Sequence, residues 1–236
     1  MKFEPTEEQV KIIESAVKGN NLAISALAGA AKTTTCVLVA KKVRKHSLYV
    51  AYNKAIAMEA GEKFPPLWVE CKTFHSLAWH GVVKGTKFKN KLGGFINRND
   101  VLALFPEMKY LKWAVRAERT KKLVDAVKEF CNSDSLDFAK FAEAHLGSDT
   151  AKFEAEKLWK SMIDPNSPTG ITHDTYLKIF QMRKPQLGYE VIYLDECQDV
   201  NPVILDIILR QKSCQRILVG DVNQAIYGWR DTINAF

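Results

Sequence analysis

The sequence predicts an α/β fold, a parallel sheet with helices on both faces and a helical insertion. Short β-rich runs recur at 22–26, 48–52, 68–71, 191–194 and 217–219, and helical patterns at 33–45, 54–63 and 203–211 follow most of them. Strands alternating with helices build parallel sheets, and such sheets bind ligands at the carboxyl ends of their strands. Between Thr73 and Glu190 the alternation stops and helical patterns dominate, for example at 123–130, 138–144 and 172–182. The expected layout is therefore a discontinuous sheet domain over 1–80 and 187–236 with an inserted helical subdomain over 81–186. Its limits lie in the Lys- and Gly-rich stretch 81–94 and the turn at 185–188.

The first element is signalled by Thr6-Glu7-Glu8-Gln9 ahead of Val10, Ile12, Ile13 and Val17, a capping-box opening to an amphipathic helix. The strand at 22–26 then runs through Ala26-Leu27-Ala28-Gly29-Ala30-Ala31-Lys32-Thr33 into a helix. A phosphate-binding P-loop requires this strand, loop and helix context. In that reading Ala28, Gly29, Ala30, Ala31 and Thr34 line the phosphates together with Lys32 and Thr33. Lys32 neutralises the outer phosphates and the Thr33 hydroxyl ligates Mg²⁺. Ala26 and Ala31 stand where the pattern has glycines, so the Ala31 methyl either crowds the phosphate or strains the turn. The competing reading is an ordinary loop of small residues.

The apolar strand 191–194 delivers two carboxylates at its end, Asp195 and Glu196. Asp195 is placed to hold Mg²⁺ and Glu196 to polarise an attacking water. Alone, such a strand end is a common solvated turn, and its weight comes from following the P-loop. The strand 217–219 exits through Gly220-Asp221 into a polar and aromatic loop, where Gln224 is placed to sense a terminal phosphate. Trp229 offers either a base-stacking face or a ring for core and rim packing.

Composition narrows the partners. The 236 residues are 47% hydrophobic and carry a formal net charge of +7. Residues 81–130 hold 12 basic and 5 acidic side chains, and the remainder of the chain balances at 22 of each sign. The excess charge shares its segment with Phe88, Phe95, Tyr110 and Trp113. This mixture suits phosphates and stacked bases, or a plain solvated helical face. The five cysteines are scattered with no metal-ligand spacing, so no structural metal is expected, and they read as reduced thiols. No signal peptide and no run of 18 apolar residues is present, which leaves no membrane partner and an intracellular location as the expectation.

Gly29-x-x-Lys32-Thr33, Tyr52-Asn53-Lys54-Ala55, Thr73-Phe74-His75-Ser76, Asp195-Glu196-Cys197-Gln198-Asp199 and Gly220-Asp221-x-x-Gln224-x-Ile226-Tyr227-x-Trp229-Arg230 occur in a fixed order. In that order they resemble the UvrD-like superfamily 1 DNA helicases, built on a RecA-like sheet. Cys71-Lys72-Thr73-Phe74-His75-Ser76 and Ile171-Thr172-His173-Asp174-x-Tyr176-Leu177-Lys178 are similar to the F-box DNA helicase branch. No F-box is present, so no ubiquitin-ligase role is implied.

The resemblance implies ATP and Mg²⁺ as cofactors and single-stranded DNA or single-strand/duplex junctions as partner. It implies catalytic roles for Lys32, Glu196 and Gln224, and adenine reading by Gln9, whose other reading is the capping-box partner of Thr6. Asn53, Lys54, Thr73, Phe74, His75, Tyr227, Trp229 and Arg230 match DNA-side positions, and the inserted subdomain matches one that lies over the DNA. The motifs stop after the third major block, so a second RecA-like domain in cis is expected to supply arginines to the γ-phosphate. A missing arginine finger is worth roughly 10³–10⁵ in rate, and the chain by itself is expected to be a poor ATPase. The expected function is the first motor domain of an ATP-dependent DNA helicase. The alternative is a catalytically weak module that binds single-stranded nucleic acid.

Overall fold

The structure is a computed structural model and describes residues 4–27, 29 and 31–221. The chain forms two compact units, one made of the residues up to Leu77 together with those from Pro185 on, the other of Ala78–Lys184. In chain order the first unit contributes α1 (Glu7–Val17), β1 (Leu22–Ser25), α2 (Lys32–Val43), β2 (Ser47–Val50), α3 (Lys54–Lys63) and β3 (Val69–Lys72), and the short helix α4 (Phe74–Ala78) follows. The second unit continues with α5 (Arg98–Leu104), α6 (Trp113–Asn132), α7 (Phe138–His145), α8 (Asp149–Ile163) and α9 (His173–Met182). The first unit resumes with β4 (Val191–Leu194), α10 (Pro202–Leu209) and β5 (Gln215–Gly220).

The five strands form one sheet in the order β1-β5-β4-β2-β3, and every pairing is parallel. This is the α/β class that the strand and helix alternation predicts. β2 and β4 are buried along their whole length, which is why they read as unbroken apolar runs. On one face Tyr49, Val191, Tyr193, Ile217 and Val219 pack with Ala16 of α1, with Cys36, Val39 and Ala40 of α2, and with Ala57 and Ala60 of α3. The small residues on these helices let them approach the sheet closely. Local chemistry sets the helix starts. Thr6 and Gln9 complete the capping box of α1, Asn53 caps α3 through Ile56 N–H, and Asn201 caps α10 with Pro202 in its first turn.

The second unit has its own core, in which Phe130, Phe138, Phe141 and Trp159 are buried. Phe130 meets the other three edge-on at centroid distances of 4.9–5.4 Å, the arrangement favoured by ring quadrupoles. Two buried lysines tie helices together here. The Lys91 ammonium donates to the carbonyls of Ser161, Met162 and Asp164 at the end of α8. That of Lys178 donates to the carbonyls of Ser133 and Ser135 just after α6. Both supply donors where a helix leaves carbonyls unsatisfied, and positive charge where the helix dipole favours it.

These contacts correct part of the sequence reading. Phe88 is 5% exposed, with the Lys91 ammonium 5.6 Å from its ring centroid, so it is a core ring rather than a stacking surface. Some of the positive charge of 81–130 is likewise spent internally, because Lys91 is buried and Arg119 forks onto Glu154 of α8. Phe95, Tyr110 and Trp113 are exposed. The stretch around Thr172 gains a structural task, since Thr172 caps α9, His173 Nδ1 lies 2.9 Å from the Tyr176 hydroxyl, and Lys178 anchors α9 to the end of α6.

Candidate active site

Because all strands run the same way, every sheet motif emerges at one edge, the carboxyl edge. β1 leads into the loop before α2, β2 into Tyr52-Asn53-Lys54, β3 into Thr73-Phe74-His75, β4 into Asp195-Glu196 and β5 into Gly220-Asp221. β5 lies between β1 and β4. The P-loop strand and the carboxylate strand are thus about 10 Å apart, twice the usual strand spacing, a gap that side chains span over the tip of β5. Gly220 makes this possible. A Cβ there would stand 2.8 Å from Cys197 Sγ and against Gln198 Oε1, so only glycine lets the turn after β4 fold across the end of β5.

Two pairs close the gap. Lys32 Nζ lies 3.0 Å from Glu196 Oε2, with the lysine side chain 9% exposed and the glutamate 39%. The Thr33 hydroxyl donates to Asp195 Oδ2 at 2.8 Å. The Tyr49 hydroxyl donates to the same Oδ2 at 2.5 Å, and the Glu196 N–H donates to Asp195 Oδ1 at 2.9 Å. Asp195 is 7% exposed, and these donors offset the cost of burying its carboxyl group. Gln198 extends the network, donating from Nε2 to Glu196 Oε2 at 2.8 Å and accepting the Asp221 N–H on Oε1 at 3.1 Å.

The backbone is bent to aim these groups. Gly29, Ala31 and Glu196 have φ of 76°, 54° and 50°. For the two non-glycine residues this left-handed conformation costs roughly 1–2 kcal/mol each, and it occurs in the turn just before Lys32 and at the carboxylate paired with it. The Ala31 methyl thus strains the turn, one of the two outcomes foreseen. Burial, followed by the Asp195 charge, drives the Tyr49 phenol well above its ordinary value. Burial also raises the Cys197 thiol to about 12, so it is a neutral packing group beside the carboxylates.

The remaining predicted residues divide clearly. The Gln9 side-chain oxygen accepts the Thr6 N–H and its Nε2 donates to Thr35 Oγ1 at 2.9 Å, so both ends of the amide are engaged and the capping-box reading is present. Thr34 is exposed in the first turn of α2. Asn53 is exposed and caps α3, Lys54 is exposed, and Thr73 Oγ1 accepts the Ser76 N–H. Phe74, expected at the DNA side, is 2% exposed and is one of the buried core side chains. His75 is partly exposed. Ala28, Ala30, Gln224, Tyr227, Trp229 and Arg230 lie outside the described residues. Tyr49 and Gln198 escape the sequence reading as site residues, since a tyrosine in an apolar strand and a glutamine in a turn carry no local sign of their distant partners.

Residues 9–230 match the AAA domain family. The chain belongs to this AAA domain family. This AAA domain is 36% identical to F-box DNA helicase 1 of Gallus gallus over 248 residues, covering 97% of the chain and 24% of the relative. It is 28% identical to F-box DNA helicase protein 1 of Schizosaccharomyces pombe, over 95% of the chain and 28% of the relative. The AAA domain thus spans about a quarter of the length of these curated relatives. Among its described residues no helix is long and apolar enough to cross a membrane, and no group of three or more His, Cys, Asp or Glu is arranged to hold a metal ion.

Proposed function

We propose that this chain is the first motor domain of an ATP-dependent DNA helicase, hydrolysing ATP at the carboxyl edge of its sheet. The observation that carries the reading is the convergence of Lys32 with Glu196 and of Thr33 with Asp195 across the tip of β5. The donor set suits Mg²⁺. A hydroxyl and a carboxylate are hard oxygen ligands of the kind that Mg²⁺ takes, and Thr33 and Asp195 bring one of each together.

Thr33 and Asp195 would hold the metal, while Gly29 and the amino end of α2 would face the phosphates. When bound, Mg²⁺ neutralises phosphate oxygens and orients the outer phosphoryl group. Lys32 exchanges its ion pair with Glu196 for the outer phosphates, and this frees Glu196 to take the proton of the attacking water. Gln198, bonded to Glu196 Oε2 and to the Asp221 N–H, keeps the carboxylate in place and links it to the end of β5. In the sequence that strand is followed by Gln224, Tyr227, Trp229 and Arg230, to which we assign γ-phosphate sensing and single-strand contact. We assign Gln9 to the adenine edge, and Asn53, Lys54, Thr73 and His75 to the DNA side. The helical unit Ala78–Lys184, with Lys109, Tyr110, Lys112 and Trp113 exposed, is assigned to DNA contact in an intracellular, DNA-associated protein. A second RecA-like domain outside these residues completes the motor.

The test is ATP hydrolysis by the full-length protein with and without single-stranded DNA. Lys32→Ala and Glu196→Gln should each lower the stimulated rate by at least about 10²-fold, the scale of a positioned acid–base or charged group. Near-normal turnover in either variant overturns the assignment.

A further inference from the structure

Tyr49 has no part in the chemistry proposed above, yet its hydroxyl is seated on the carboxylate proposed to hold the metal. Its side chain is 0% exposed, its ring packs on Phe64 at a centroid distance of 4.6 Å, and its O–H donates to Asp195 Oδ2 at 2.5 Å. We infer that Tyr49 is a positioning residue that sets the plane of the Asp195 carboxylate and thereby the affinity of the site for a divalent cation. This inference rests on the Mg²⁺-nucleotide reading of the site.

The three donors to Asp195 are not equivalent. The Glu196 N–H serves Oδ1, and Thr33 and Tyr49 both serve Oδ2. Thr33 is itself proposed to ligate the cation, whereas Tyr49 is the side-chain donor of this set whose one task in the site is to hold Oδ2. The χ2 torsion of an aspartate is broad and nearly two-fold, so a carboxylate without such a donor swings between orientations. Tyr49 is anchored against that motion, because it is held in β2, which is paired to β4 one position before Val50 and Leu194. The hydroxyl also draws charge from Oδ2, which taken alone weakens cation attraction. Loss of groups that orient metal ligands typically costs 10–100-fold in metal affinity, so orientation is the larger effect.

The experiment compares wild-type and Tyr49→Phe full-length protein in binding a fluorescent ADP analogue, first in EDTA and then along a Mg²⁺ titration. The variant keeps the ring on Phe64 and removes only the oxygen. Equal binding in EDTA, with the Mg²⁺ midpoint raised about 10–100-fold in the variant, is the expected result. A Phe64→Leu variant, which disturbs the ring packing and leaves the hydroxyl, should keep the wild-type midpoint. Superimposable Mg²⁺ curves for wild type and Tyr49→Phe overturn the inference, as does a midpoint that shifts equally in Phe64→Leu or a loss of binding already complete in EDTA. If wild-type binding itself ignores Mg²⁺, the metal-nucleotide reading fails and takes this inference with it.

Discussion

The Lys178 ammonium stands 4.2 Å from the ring centroid of Phe130 while donating to the carbonyls of Ser133 and Ser135. It is 0% exposed, so a charge buried in the helical unit is balanced by a ring face and by the carbonyls that end α6. Replacing it removes both contributions and leaves buried acceptors unsatisfied. Lys178→Met, which keeps the length and apolar stem, should lose about 2–4 kcal/mol in urea unfolding, the sum of a charged hydrogen-bond donor and a desolvated cation–π contact. A loss below about 0.5 kcal/mol, the range of ordinary surface changes, would show that the ammonium is not holding α6 and α9 together.

Ala31 pays for its left-handed φ of 54° without a side-chain cap on α2. Glycine relieves about 1–2 kcal/mol of that strain and returns part of it as unfolded-chain entropy. Ala31→Gly should therefore stabilise the protein by about 1 kcal/mol, a rise of about 2–4 °C in Tm for a chain of this size. Scanning calorimetry decides it, and a fall in Tm would mean that the turn before Lys32 is not strained by its methyl group.

Alkaline pH should weaken the fold through its thiols. Burial holds Cys131 and Cys197 at about 12 against an ordinary 9.0, and raises Cys36 in the same direction. These groups stay neutral in the folded chain and ionise on unfolding, so the stability they contribute is complete below pH 9.0 and drains away between 9.0 and about 12. Each thiol adds a slope of about 1.4 kcal/mol per pH unit within that window. Urea midpoints measured under reducing conditions should be flat at neutral pH and fall beyond pH 9.0, less steeply in Cys131→Ala. An unchanged slope in that variant would remove Cys131 from the account.

Several features are legible in the amino-acid sequence alone. The alternation of apolar runs and helical patterns yielded the α/β class, because the periods 2 and 3.6 are written into neighbouring residues. The α1 capping box and the pairing of a P-loop with a strand-end Asp-Glu could be read for the same reason, since each motif is complete within about ten residues. The burial of Phe74 and Phe88 could not be read, for the converse reason. An aromatic beside polar residues has no local mark that says which way its ring turns.

The sequence by itself determined the strand and helix alternation, the loop before Lys32 and the two carboxylates after β4. The tertiary structure alone decided that Thr33 and Asp195, 162 residues apart, share a hydrogen bond, that Tyr49 joins them from 146 residues away, and that Lys178 closes α6. The physical reason is range. Torsional preference and periodicity act between neighbours along the chain, whereas the partner of a buried polar atom is chosen by the packing of the sheet, after distant strands have come side by side.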